Sequence, residues 1–144
     1  MPAIRLNGTL NGRGVGAVSP PMRRCGQLGR SGLAELVDRT CRHAHALVTG
    51  IGGLPDAEVV WEPVINQGLV RFLDPKPLAN DQDHDRRTDA VIRRIVAGGE
   101  AFFGGTTWRG KRCMRVSVCN WQTSERDVER AVAASRRALC ELPG

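Results

Sequence analysis

The chain has no tyrosine, three phenylalanines, three tryptophans and two lysines among its 144 residues. With so few rings, any core must be built from Val, Leu, Ile and Ala. No run reaches the roughly 18 consecutive apolar residues that span a bilayer. No charged segment leads into an apolar one in the manner of a secretory signal. No Cys-x-x-Cys occurs, and the five cysteines, at 25, 41, 113, 119 and 140, match no zinc spacing. These absences exclude a membrane-spanning protein, a collagen-like chain and a disulfide miniprotein. What is present, 41% hydrophobic and 25% charged residues, fits one soluble globular domain. An odd number of thiols reads as reduced cysteine in a cytoplasmic protein.

The formal charge of +6 is concentrated in one place. Residues 1–30 hold five arginines (Arg5, Arg13, Arg23, Arg24 and Arg30) and no acid, while the remaining 114 residues hold 16 basic against 15 acidic side chains. A nucleic-acid module carries its charge as a stripe on the folded surface, so this distribution argues against nucleic acid as a partner. Residues 1–22, rich in Gly and Pro and without an apolar period, read as a disordered or non-native leader. The folded domain is expected over 23–144.

Apolar spacing predicts a helix from about Ser31, with Leu33, Leu36, Val37, Ala44, Leu47 and Val48 on one side, ended by Gly50 and the following Gly52-Gly53. Ala57–Trp61 and Gly68–Leu73 read as strands, and 78–83 as a polar loop. Asp83 is a plausible N-cap for a helix through Ala97. Residues 101–107 and 112–119 read as a hairpin about Arg109-Gly110. A last helix begins after Thr123 or Ser124, with Val128, Val132, Ser135, Leu139 and Leu142 as its stripe. The order predicts an α+β fold: a small, mostly antiparallel sheet with helices packed on one face.

Strand alternation puts Met114, Val116 and Val118 on one face of the hairpin and Arg115, Ser117 and Cys119 on the other. If Arg109 and Gly110 are the turn, Trp108 pairs with Lys111, Phe103 faces Val116 and Gly104 faces Arg115. Arg115 then points away from the helices, opposite a residue without a side chain. Two roles are open to it: a solvated or ion-paired surface arginine, or an anion site, since a guanidinium grips a carboxylate through two parallel hydrogen bonds.

Other constellations carry less. Cys41-x-His43-x-His45 cannot converge three ligands from one helix. His84 in Asp83-His84-Asp85 reads as a helix start whose acids complement the macrodipole. Gly98-Gly99 and Gly104-Gly105 lack a phosphate-loop context. Trp61, Trp108 and Trp121 are expected at sheet edges and domain borders, as part of an exposed apolar patch.

The run GEAFFGGTTWRGKRCMRVSVCNWQTSERDVERAV (99–132), with WEPVINQGLVRF (61–72) and LGRSGLAELVDR (28–39), resembles the C-terminal segment of pyridoxal-phosphate-dependent group II amino-acid decarboxylases. MRVSVCNWQT (114–123) is its most specific part. The resemblance implies the small domain of the type I aspartate-aminotransferase fold, closing over the active site of a carboxy-lyase. It implies that Arg115 binds the substrate carboxylate, that pyridoxal phosphate is the cofactor, and that the full-length enzyme is a homodimer. It also implies a missing large domain, because neither Lys76 nor Lys111 stands in the family's cofactor-lysine motif. The chain alone is therefore expected to be inactive: a fragment, a truncation or a product of a shifted start. An aminotransferase of the same fold and a noncatalytic module that kept the fold are the alternatives.

Overall fold

The computed structural model describes residues 4–5 and 21–143, with side chains from Gly29 onward. Its elements are β1 (Ile4–Arg5), α1 (Pro21–Gly52), β2 (Ala57–Trp61), β3 (Gln67–Phe72), α2 (Asp81–Ala97), β4 (Ala101–Phe102), β5 (Gly104–Trp108), β6 (Lys111–Ser117) and α3 (Glu125–Cys140). The main sheet has four strands in the order β2-β3-β6-β5, all pairs antiparallel. A second, parallel pairing joins β1 to β4. The leader expected at 1–22 falls outside the described residues, except for Ile4–Arg5 in β1 and Pro21–Met22 at the start of α1.

One face of the sheet carries the core. Val70, Phe72, Met114, Val116 and Val118 are buried there against Leu47, Val48 and Ile51 of α1, Val91, Ile92 and Ile95 of α2, and Val128, Ala131 and Ala138 of α3. The expected α+β architecture, helices against one side of an antiparallel sheet, is what the chain adopts.

The hairpin register also holds. Arg109 (φ 49°) and Gly110 (φ 79°) form a two-residue turn with both residues left-handed, the geometry that matches strand twist. It pairs Trp108 with Lys111 and Gly104 with Arg115. Phe103 is not in the ladder: the strand breaks there, and Phe103 is buried in the core without pairing with Val116.

Several boundaries differ from expectation. Asp83 is not the N-cap of α2. Asn80 is, accepting from the Asp83 backbone N–H while the Asp83 carboxylate accepts from the Asn80 N–H. Asp83 is the third residue of a reciprocal capping box, so the run 78–83 is half helix. α1 begins at Pro21, ahead of the expected start near Ser31, and has a break at Gly29 (φ 64°), while its end at Gly52 falls within the expected glycine run. Leu33 and Val37, expected on its apolar side, are exposed. In α3, N-capped by Ser124, one of the two expected starts, the buried stripe is Val128, Ala131, Ala134, Ser135 and Ala138. Val132, Leu139 and Leu142 are only partly buried. Small alanines line the side that approaches the other elements most closely.

Candidate functional site

The sheet face turned away from the helices carries the candidate site. Arg115 stands in the middle of β6, exposed, with Leu69 of β3 on one side and Gly104 of β5 on the other. Gly104 contributes no side chain, so that flank of the guanidinium is lined by backbone. Ser117 and Cys113 share this face of β6 and are buried, and so is Leu69. Two rings come from opposite edges of the sheet. Trp61 on β2 and Trp108 on β5 stack with centroids 5.2 Å apart and planes 4° from parallel. A stack between the two edge strands crosses over β3 and β6. The Arg109 guanidinium lies 5.8 Å from the Trp108 ring centre, within cation–π range.

A second arginine on the same face of the sheet is held by carboxylates through both terminal nitrogens. Arg71 of β3 is 1% exposed. Its guanidinium donates to Asp81 Oδ1 (3.0 Å), to the Asp81 carbonyl (3.0 Å) and to Asp85 Oδ1 (2.8 Å) at the start of α2. Asp85 Oδ1 also accepts from the Arg112 backbone N–H (2.9 Å), and the Arg112 side chain donates to Asp89 (2.7 Å). Partial burial pushes the Asp85 carboxyl up, but the Arg112 N–H and the Arg71 guanidinium outweigh it and hold the group below the usual carboxylate range. This network locks α2 across the end of β3 and β6 and so fixes the sheet beneath Arg115. Sequence reasoning missed it. The signal was there: Asp81 and Asp85, four apart in one helix, share a face, and Arg71 interrupts an otherwise apolar strand.

The remaining candidates are scattered. His43 is buried beneath the start of α3, His45 is exposed and Cys41 is half-buried. His84 sits in the first turn of α2, its Nδ1 accepting from the Asp74 N–H (2.9 Å). Cys41, Cys113, Cys119 and Cys140 form no disulfide. Burial pushes the Cys113 thiol up, which keeps it protonated. Among the described residues, no cluster of three His, Cys, Asp or Glu side chains could hold a metal, and no helix is long and apolar enough to cross a membrane.

No protein-family model matches the sequence, and no curated protein matches it. Solved structures do match. The chain is similar to the glutamate decarboxylase domain of diaminobutyrate-pyruvate transaminase and L-2,4-diaminobutyrate decarboxylase from Vibrio parahaemolyticus, with a TM-score of 0.67 at 19% identity, covering 84% of this chain and 25% of that one. Oryza sativa TDC with PLP gives 0.74 at 19% identity over 81% and 25%. Catharanthus roseus tryptophan decarboxylase in complex with L-tryptophan gives 0.70 at 14% identity over 81% and 24%. The chain therefore spans about a quarter of the length of these structures. What it shares with them is a fold, the small-domain fold of the group II pyridoxal-phosphate-dependent decarboxylases.

One of these structures, Oryza sativa TDC, contains PLP, a cofactor that enzymes hold through a lysine Schiff base. The two lysines here do not fit the role. Lys76 is exposed in the loop between β3 and α2, 4.0 Å from Asp74. Lys111 is exposed at the hairpin turn, paired with Trp108. Neither is enclosed in a way that would shield a bound cofactor from water. The described residues do not by themselves make a site for this group.

Proposed function

We propose that residues 23–144 act as the C-terminal small domain of a pyridoxal-phosphate-dependent amino-acid decarboxylase, with Arg115 binding the substrate carboxylate. The cofactor and its lysine belong to a large domain that this chain joins, and the chain alone is inactive. The observation that carries this reading is the placement of Arg115: exposed at the centre of the sheet face opposite the helices, beside a glycine, within a fold shared with decarboxylases. A guanidinium so placed can present two parallel N–H groups to a carboxylate. The Arg71 network and the tryptophan stack hold the strands that carry it.

Two measurements test the proposal. The purified chain is mixed with pyridoxal phosphate, reduced with borohydride and mapped by mass spectrometry. The expected result is no single modified lysine; stoichiometric labelling of Lys76 or Lys111 alone would overturn the claim that the cofactor is held elsewhere. The second uses a chimera in which residues 29–143 replace the matched quarter of the Vibrio parahaemolyticus decarboxylase domain. Arg115→Gln in that chimera is expected to raise KM for the amino acid about 10- to 100-fold, the loss of one charge-assisted contact of ~1.5–3 kcal/mol. Cofactor absorbance should be unchanged. An active chimera indifferent to Arg115→Gln would remove the role assigned to this residue.

A further inference from the structure

His43 is a buried ionisable group that the proposed function leaves unused. It stands on α1, 7% exposed, where that helix meets the start of α3 and the segment 120–124 leading into it. Its Nδ1 is sealed from solvent and has no hydrogen-bond partner, and the same holds for Thr123 Oγ1 in that segment. A neutral imidazole tolerates this, because it can leave Nδ1 as a bare acceptor. An imidazolium carries a proton on both nitrogens, so it buries a donor with nothing to accept from it, a costly arrangement. The joint is also loosely filled. A cleft of about 820 Å3 runs beside His43 between α1 and the start of α3. Arg39 donates to the Trp121 carbonyl (3.0 Å), a single clasp that ties segment 120–124 to α1 from the solvent side.

We propose that His43 makes the joint between α1 and the start of α3 acid-sensitive: the neutral ring packs there, and the protonated ring releases segment 120–124 and the first turn of α3 while the sheet stays folded. Charges reach the ring from both helices. Arg39 and Arg42 on α1 oppose its protonation, and Glu125 and Asp127 on α3 favour it. Glu129 lines the same cleft, and residues 120–124 carry no ionisable side chain. The Asp127 carboxylate is held in the cap of α3 by the Ser124 N–H and hydroxyl, both at 2.9 Å, and is not bonded to His43 Nδ1. Burial is the largest influence on the ring, and with the arginines it outweighs the acids, holding His43 below the ordinary histidine value. A group so depressed takes up its proton more readily in the open form. Its contribution to the closed joint is therefore present above the unfolded value of about 6.5 and is lost as the pH falls through the folded value. The device is independent of the role proposed for Arg115.

The test follows the full 144-residue chain by NMR and amide hydrogen exchange between about pH 7.5 and about pH 5, with exchange corrected for its intrinsic pH dependence. Protection of residues 120–128 is expected to fall about threefold or more across this range, while that of β3 and β6 does not change. The His43 imidazole signals are expected to titrate below the midpoint of histidine in the urea-unfolded chain. His43→Gln is expected to abolish the pH dependence at 120–128. His45→Gln and His84→Gln, which remove the chain's other two imidazoles, are expected to keep it. Should His43→Gln fail to fold, His43→Leu, equally unable to titrate, takes its place, and should neither fold, the two wild-type readings decide. Unchanged protection at 120–128, or a loss shared equally by β3 and β6, overturns the proposal. So does a loss that persists in a folded His43 variant, or a His43 midpoint at or above the unfolded one.

Discussion

Arg71 and Arg115 leave the same face of the sheet from adjacent strands, and their surroundings give them opposite uses. Arg71 is enclosed and bonded to Asp81 and Asp85, so it serves stability. Breaking a buried pair leaves a desolvated charge. Asp85→Ala is therefore expected to cost about 2–4 kcal/mol, measured as a lowered urea midpoint at pH 7. The pH dependence follows from the direction of the shift. The Asp85 carboxyl is depressed in the folded chain, so its contribution is present above the unfolded value of about 4 and is lost as the pH falls through the folded value. Asp127, whose carboxylate accepts from the Ser124 N–H, behaves alike. The contribution of these carboxylates to stability should be flat above about pH 5 and fall below about pH 4, with a shallower fall in Asp85→Ala. The direction in which Arg115 points was legible in the sequence, because alternation in a β-branched strand is a strict rule. The burial of Arg71 was not: it depends on a helix ten residues further on, and pairwise spacing within one strand cannot see it.

At the scale of elements, the tight turn made the register readable. With Arg109 and Gly110 fixed as the only turn residues, the pairing of Gly104 with Arg115 follows by counting. Helix faces were harder. Alanine is equally at home inside and outside, so the stripe of α3 was assigned to its larger residues, while packing against neighbouring elements selected Ala131, Ala134 and Ala138. The N-terminus of α2 was misplaced by three residues because Asn80 and Asp83 are both good caps, and only their mutual bonding decides which one ends the helix. Asn80→Ala is expected to cost about 1 kcal/mol. Gly68→Ala should cost about 1–3 kcal/mol, since a methyl there would stand 2.9 Å from both the Trp61 carbonyl and Val48. Thermal unfolding of each variant checks both values.

Across the whole molecule, one sheet face is closed by helices and the other carries Arg115 beneath open surroundings. Near its edges and loops, Trp61, Val64, Ile65 and Trp108 are all more than a third exposed. That is the surface the proposed large domain would cover, and its extent could not be read from the sequence. Nothing in a spacing of 47 residues announces that Trp61 and Trp108 meet; twist and strand order bring them together. Their stacking has a mechanical consequence. A four-stranded sheet with helices on only one side is free to flex about its long axis, and its outermost strands ordinarily fray first. Here the two indoles act as a strut thrown from rim to rim, so the margins open together or not at all. Amide hydrogens of β2 and β5 should exchange at matched rates, and Trp108→Ala should speed exchange in β2, at the opposite edge with two strands between. A platform braced in this way would meet a docking partner as a rigid body, with little shape left to adjust.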